Sequence, residues 1–204
     1  MTTVLVLFHS VTGSTYRLAE AIAAGVDSVD GCAANLRRVP EIEGSSVIFG
    51  GNDMAESRAQ FDHIPVAEIE DLIAHDGLAI GTPVYFGAQS SALRYFLDQA
   101  GKYWMEGALT GIPATAFAGA GSGAGREAAL MSLWSTFAVF GLTIVPLGTR
   151  AQNETPSDQV TGTTPFGAAT ISGGEGERPS AAELAAARIQ GQALAEISLK
   201  LKAD

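Results

Sequence analysis

The sequence predicts a parallel α/β fold, in which a five-stranded sheet carries helices on both of its faces. Short continuous apolar runs alternate along the chain with segments whose apolar residues recur at helical spacing. The apolar runs do not alternate with polar residues, which is typical of strands buried on both faces. Because 204 residues that are 47% hydrophobic can bury a large core, we expect residues 1–204 to form a single domain.

The N-terminal part begins with the clearest strand and helix. Residues 3–8 (TVLVLF) predict a buried strand, and residues 14–26 predict a helix because their apolar residues recur three or four positions apart. A weaker second strand is predicted at residues 34–39. The mixed, irregular composition near residues 41–65 predicts a long loop excursion after that strand.

The remaining elements continue the alternation towards the C-terminus. They are predicted as a helix at 66–76, a strand at 77–83, a helix at 91–100, a strand at 113–118, a helix at 126–141 and a fifth strand at 142–148. Residues 149–178 are rich in glycine and proline and predict a loop region. The last helix is predicted at 180–202, because Ser180 followed by Glu183 is a capping-box signature.

Charge and cysteine content exclude several classes of function. The chain carries 12 basic and 22 acidic residues, a formal net charge of −10, and has no basic patch, so we expect no nucleic-acid partner. No apolar run reaches the roughly 20 residues of a membrane span. Cys32 is the only cysteine, which excludes an intramolecular disulfide and favours a cytoplasmic location. The histidines His9, His63 and His75 are scattered, and no metal site is expected.

Three loops are candidates for a ligand site. In open parallel sheets, ligands bind beyond the carboxyl ends of the strands, at the switch in strand order. The loops that follow the first, third and fourth predicted strands are therefore expected to meet at one edge. They comprise residues 10–15, 83–90 and 119–125.

The first of these loops has the composition of a phosphate site. Ser10, Thr12, Ser14 and Thr15 each offer a hydroxyl donor, Gly13 allows a tight turn, and a helix follows directly. Backbone N–H groups at a helix N-terminus favour an anion, so the set suits a phosphate monoester without a lysine. An ordinary Ser/Thr helix cap remains the alternative interpretation at this point.

The other two loops suit a flat ring system. Gly119, Gly121 and Ala124 match G-x-G-x-x-A, but the acidic residue expected about 20 positions later is absent, which disfavours a dinucleotide site. Glycines instead allow the chain to pass close to a planar ligand. Tyr85 and Phe86 could stack on such a ring, although two core aromatics are the alternative. A phosphate at one end and a flat ring at the other describe flavin mononucleotide (FMN).

Longer stretches of the sequence resemble a known family. Residues 10–15 (SVTGST) resemble the T-x-T-G-x-T phosphate loop of flavodoxins. Residues 81–111, 141–148 and 162–191, together with the glycine loop, are similar to the WrbA family of flavodoxin-like NAD(P)H:quinone oxidoreductases. The stretch at 162–191 is quite specific to that family.

The resemblance implies a three-layer flavodoxin-like fold with strand order 2-1-3-4-5, bound FMN and a homotetramer built as a dimer of dimers. It also implies two-electron reduction of a quinone by NADH or NADPH, through ping-pong hydride transfer at flavin N5. A flavodoxin-type carrier that passes electrons to a protein partner is the alternative function, and a non-catalytic scaffold is a further one without support in the sequence.

Site residues follow from the loops and from the resemblance. The cofactor site is predicted to comprise Ser10, Val11, Thr12, Gly13, Ser14, Thr15, Pro83, Val84, Tyr85, Phe86, Gly87, Gly119, Ala120, Gly121, Ser122, Gly123, Ala124 and Val139. Thr12 and Trp104 are predicted on the substrate side, with Trp104 contributed by a neighbouring subunit; a pure interface role is the alternative for Trp104. No side chain is a certain catalytic group; Tyr85 is a candidate proton donor, and packing against the ring is its alternative role.

Four positions depart from the family pattern. Many members have an aromatic residue where Thr12 stands, an arginine where Tyr85 stands, and a His-His pair where Val139 and Phe140 stand. The phosphate site survives these changes. These changes instead affect the expected contacts to the nicotinamide dinucleotide. The choice between NADH and NADPH therefore stays open.

Overall fold

A parallel sheet with helices on both faces forms the centre of the protein. A computed structural model describes residues 1–43, 55–155, 158 and 160–202. The strands are β1 Thr2–Phe8, β2 Cys32–Arg38, β3 Gly77–Tyr85, β4 Ala88–Gln89, β5 Pro113–Ala120, β6 Thr143–Ile144 and β7 Ala169–Ile171. The helices are α1 Ser14–Asp27, α2 Ala55–Ala59, α3 Ser91–Asp98, α4 Gly101–Met105, α5 Arg126–Phe140 and α6 Ala181–Lys202, with a 3-10 helix at Ile69–Leu72.

The strand order confirms the predicted topology. Hydrogen-bonded neighbours run β2-β1-β3-β5-β6, while β4 pairs with β3 as a short hairpin. With the hairpin strand set aside, this is the predicted order 2-1-3-4-5. The direction of the order reverses between β1 and β3, which places a switch point at the carboxyl ends of these two strands.

Two hydrophobic cores lie on opposite faces of the sheet. Successive side chains of a strand point to opposite faces. In β1, Leu5 and Leu7 join the core beneath α3 and α5. Val4, Val6 and Phe8 join the core beneath α1 and α6. The continuous apolar character of β1 thus reflects burial on both sides.

The fifth strand of the sheet is divided, which corrects the predicted strand at 142–148. β6 pairs with Pro113 and Ala114 at the start of β5, and β7 pairs with residues 118–120 at its end. The chain leaves the sheet near Pro146, which has no N–H to donate to a strand ladder. It returns at β7, inside the region predicted as loop at 149–178.

Three further differences concern short helices. The predicted helix at 66–76 contains only the 3-10 turn Ile69–Leu72, whose capping box joins Glu68 and Asp71. α2 lies within the predicted loop near 41–65, and α4 was not predicted at all. The part of that predicted loop at residues 44–54 lies outside the described residues. Helices of five residues carry too few periodic positions to be recognised in a sequence.

Candidate functional site

The loops that follow β1, β3 and β5 enclose a cleft at the carboxyl edge of the sheet. A smaller cavity of about 150 Å³ is lined by Val11, Thr12, Ser14, Thr15, Pro83, Val84, Tyr85, Gly119, Gly121 and Ser172. A larger cavity of about 500 Å³ is lined by Val84, Tyr85, Phe86, Gly87, Gly121, Ser122, Ala124 and Gly125. Because the two linings share three residues, the cavities form one continuous cleft.

The loop between β1 and α1 presents donors to the smaller cavity. Gly13 adopts a left-handed φ of 89° and precedes α1 without a side-chain cap of its own. Ser10 is buried, and its Oγ accepts a hydrogen bond of 3.3 Å from the Tyr16 N–H. Thr12 is exposed and lines the cavity. A helix N-terminus with hydroxyl groups around it is suited to an anion.

Gly119 allows this loop to approach the end of β5. A Cβ at Gly119 would lie 2.8 Å from Thr15 Oγ1 and 3.1 Å from Ser14 Oγ. Only glycine fits at such a distance without displacing both hydroxyls. The close approach fixes Ser14 and Thr15 against the floor of the smaller cavity.

A tight hairpin builds the wall of the larger cavity. Val84 pairs with Gln89 and Tyr85 with Ala88, so Phe86 and Gly87 are the two residues of the turn. Both have positive φ, 52° and 80°, as a type I′ turn requires. Phe86 is 98% exposed at the tip of this hairpin.

The glycine loop packs directly on this hairpin. A Cβ at Gly125 would lie 2.6 Å from Gly87 Cα. The second and third loops therefore contact each other through backbone atoms.

Charged groups lie beside Tyr85. Glu41 Oε1 is 3.3 Å from His9 Nε2 and 3.2 Å from an Arg58 guanidinium nitrogen. The hydrogen bond with His9, helped by the charge of Arg58, holds the pKa of Glu41 below its usual range. Burial, with a contribution from the charge of Glu41, raises the pKa of Tyr85. Tyr85 itself lines both cavities of the cleft.

Most of the predicted cofactor residues reach this cleft. Those that line it are Val11, Thr12, Ser14, Thr15, Pro83, Val84, Tyr85, Phe86, Gly87, Gly119, Gly121, Ser122 and Ala124. Four other predicted residues lie in or next to these loops without lining either cavity: Ser10, Gly13, Ala120 and Gly123. Ser172 also lines the smaller cavity, and the sequence reasoning missed it because β7 was read as part of a loop.

Val139 and Trp104 lie at the other end of the protein. α5 begins beside the cleft at Gly125 and, with 15 residues, extends about 22 Å from it. Val139 is near its far end, next to the start of β5. Trp104 Nε1 donates a hydrogen bond of 2.9 Å to the Val139 carbonyl, so the two residues stay together. Within one chain, neither residue contributes to the cleft.

The residues present fit FMN. Gly119 leaves room for the hydroxyls of Ser14 and Thr15 at the phosphate end, and the Gly13 cap leaves the positive end of α1 facing the smaller cavity. The larger cavity between hairpin and glycine loop has the volume of a typical small-molecule pocket.

No group of three His, Cys, Asp or Glu that could hold a metal ion occurs in the part of the chain that the structure describes. None of its helices is long and apolar enough to cross a membrane.

Comparison with known proteins places the chain among flavin enzymes. The profile of the family described as NADPH-dependent FMN reductase matches residues 2–155. A protein of Syntrophobacter fumaroxidans named NAD(P)H dehydrogenase (quinone) is 42% identical over 200 residues, which are 97% of this chain and 98% of that protein.

Solved structures give the same fold. A WrbA-like flavodoxin protein from Agrobacterium tumefaciens superposes with a TM-score of 0.66 at 20% identity, covering 98% of this chain and 99% of that one. A flavodoxin from the domain Archaea gives 0.60 at 16% identity, with 98% and 99% coverage. The chain therefore has a flavodoxin-like fold and belongs to the NADPH-dependent FMN reductase family.

Proposed function

We propose that this protein is an FMN-dependent oxidoreductase that reduces quinones to hydroquinones with NAD(P)H. The observation that carries the proposal is the cleft, which has hydroxyl groups and a helix N-terminus at one end and a hairpin and glycine loop at the other. The name of the Syntrophobacter relative supports a quinone as acceptor and NAD(P)H as donor. A cytoplasmic location, which the lone Cys32 favours, is part of the same proposal.

The residues of the first loop would hold the phosphate of FMN. Thr12, Ser14 and Thr15 would donate hydroxyl hydrogen bonds, and the N-terminus of α1 would add its positive end. The chemistry that bound FMN supplies is acceptance of a hydride from NAD(P)H at N5 and its donation to a quinone, in a ping-pong sequence.

The hairpin would control the ring end. Phe86 and Gly87 turn the backbone sharply at the cleft wall, so their N–H groups are candidates to steady negative charge on the ring. Tyr85 lines both cavities of the cleft, so its hydroxyl is the candidate proton donor to a substrate oxygen.

A second copy of the chain would complete the substrate side. Trp104, Met105 and Val139 are 49%, 81% and 62% exposed, and together they form an apolar patch at the end remote from the cleft. Patches of this kind often mark interfaces between proteins. We propose a homotetramer, arranged as a dimer of dimers, in which this patch reaches the cleft of a neighbouring subunit.

Anaerobic stopped-flow spectroscopy tests the function. The protein loaded with FMN should lose its flavin absorbance when mixed with NADH or NADPH, and benzoquinone should restore it in a second mixing step. A comparison of the two reductants would also reveal the preferred one. A flavin that stays oxidised under excess NADH and NADPH would overturn the reductase proposal in favour of an electron carrier.

A further inference from the structure

A turn after β7 closes the phosphate end of the cleft. Ser172 lines the smaller cavity together with the hydroxyls of the first loop. Its N–H donates to the Ala120 carbonyl at 2.9 Å, and the Gly173 N–H donates to the Gly121 carbonyl at 2.8 Å. The turn therefore continues the pairing of β7 along the glycine loop. These bonds hold the backbone of Ser172 beside the cavity.

The fully buried carboxylate of Glu183 anchors the strand that leads into this turn. Glu183 Oε1 accepts from the N–H groups of Gly162 (2.8 Å) and Ile171 (3.3 Å) and from an Arg178 guanidinium nitrogen (3.0 Å). Its Oε2 accepts from the Thr170 hydroxyl and the Ser180 N–H, both at 2.8 Å. A buried carboxylate is costly without donors, and here each oxygen has at least two. Ile171 and Thr170 directly precede Ser172.

The same network reaches the two other walls of the cavity. Arg126 joins Gly162 to the glycine loop, since its Nε donates to the Gly162 carbonyl and its Nη1 to the Gly123 carbonyl, both at 2.8 Å. Arg17 of α1 donates to the Arg178 carbonyl at 3.1 Å. Glu183 is thus connected to the helix of the phosphate loop and to the glycine loop.

We propose that Ser172 is a further hydroxyl donor to the phosphoryl group of the ligand, and that Glu183 is the residue that positions it. The proposal rests on the proposed function in so far as it takes the ligand to be FMN. Glu183 touches no part of the cleft lining. It acts by fixing β7 and the turn from behind.

Flavin titrations of the apoprotein test both parts. FMN and riboflavin differ only in the phosphate, so the ratio of their dissociation constants isolates the phosphate end. Ser172→Ala should weaken FMN binding about tenfold and leave riboflavin unchanged, since one hydrogen bond to a charged group is lost. Glu183→Gln should lower the FMN preference by a similar factor, because an amide N–H₂ replaces one accepting oxygen.

A double variant separates positioning from general loss of stability. If Glu183 acts through Ser172, adding Glu183→Gln to Ser172→Ala should change the FMN-to-riboflavin ratio little further. Asp76→Asn is the matched control, because Asp76 accepts from the Thr3 N–H and Lys202 at the opposite edge of the sheet. It should lower stability without changing the ratio.

The outcomes distinguish this inference from the proposed function. A wild-type apoprotein that binds neither flavin would overturn the function. A wild type that binds FMN, with a Ser172→Ala variant of unchanged ratio, would overturn the inference alone. Should Glu183→Gln fail to fold, Arg178→Gln removes one donor to the same carboxylate and is expected to raise the FMN-to-riboflavin ratio of dissociation constants. An unchanged ratio in that variant would end the positioning role.

Discussion

The hydroxyls of the first loop have separate tasks, although the sequence presents them as one set. Thr12 is exposed on the cleft, whereas Ser10 is buried and accepts from the Tyr16 N–H. Thr12→Val should weaken FMN binding about tenfold without changing the melting temperature of the apoprotein, because only a ligand hydrogen bond is lost. Titration of the apoprotein with FMN measures the first effect, and thermal unfolding measures the second.

Ser10→Ala should show the converse behaviour and serves as the comparison. Loss of an acceptor for an N–H in the first turn of a helix costs about 1 kcal/mol of stability. Wild-type FMN affinity in Thr12→Val would remove Thr12 from the phosphate site.

Phe86 has a backbone conformation that glycine and asparagine adopt more readily than phenylalanine does. Its φ of 52° lies in the left-handed region, at a cost of about 1–2 kcal/mol for residues other than glycine and asparagine. Phe86→Asn should therefore raise the free energy of unfolding by about 1 kcal/mol. Because Phe86 lines the cleft, the same change should weaken flavin binding. Urea denaturation and FMN titration measure the two effects.

Tyr95→Asn is a control for this substitution. Tyr95 is also an exposed aromatic residue, but it lies within α3, where asparagine is a poorer helix former. That variant should lose stability. A stability loss in Phe86→Asn as well would show that its backbone is not strained.

At the scale of elements, the sequence predicts the long strands and helices, whose apolar residues follow a clear pattern. β1, β3, β5 and the helices α1 and α3 were predicted because buried strands and amphipathic helices have long, distinct patterns. The division of the fifth strand was missed, since β6 and β7 contain two and three residues and depend on pairing with the two ends of β5. Ser172 was missed for the same reason, because its place in the site depends on that pairing.

The contact between α1 and α6 depends on two glycines. A Cβ at Gly25 would lie 2.0 Å from the Arg188 carbonyl oxygen, and one at Gly191 would lie 2.1 Å from the Ile22 carbonyl oxygen. Alanine is the better helix former by about 1 kcal/mol. The overlap should nevertheless dominate, so Gly25→Ala is expected to lose about 2 kcal/mol of stability in urea denaturation.

Gly101→Ala provides the matched helix substitution. A Cβ at Gly101, the first residue of α4, would meet nothing within 4 Å. This variant should be neutral or slightly stabilised. Equal stability of Gly25→Ala and wild type would mean that the two helices can separate at little cost.

The contact of Glu41 with His9 and Arg58 links the end of β1 to α2 and predicts a pH dependence. A carboxylate whose pKa is lowered by folding adds stability above its unfolded pKa, and this is lost as pH falls through the folded value. Glu41→Gln should thus be less stable than wild type at pH 7, and the gap should close as the pH drops below 4.5, the ordinary value. The gap should be at most about 1 kcal/mol for a partly exposed pair.

Thermal unfolding of both proteins between pH 3 and 8 measures this gap. Glu43→Gln, which changes an exposed carboxylate two residues further on, is the control and should follow wild type throughout. A gap that stays constant down to pH 3 would exclude the ionised Glu41 as its source.

At the scale of the whole molecule, the three loops of the cleft belong to one chain, whereas the predicted substrate-side residue Trp104 lies far from them. The three loops meet because parallel strands end at the same edge, which the sequence alone could indicate. Trp104 and Val139 share a sequence resemblance with site residues, yet the fold places them at the far end of α5. Sequence similarity can predict which residue type occupies a position. Whether Trp104 and Val139 reach a cleft depends on how the subunits of the proposed homotetramer pack.

The proposed homotetramer predicts a link between oligomeric state and substrate binding. Val139→Glu places a charge in the exposed apolar patch, and burying it between subunits would be costly. We expect sedimentation to show smaller species than wild type and the KM for benzoquinone to rise severalfold. The FMN dissociation constant should stay unchanged, because the cofactor loops belong to one chain. Leu201→Glu makes the same change at a 51% exposed residue of α6, in the opposite helix layer, and should leave both the assembly and KM as in wild type. If Val139→Glu kept the assembly and the KM of wild type, the patch would have no part in completing the cleft.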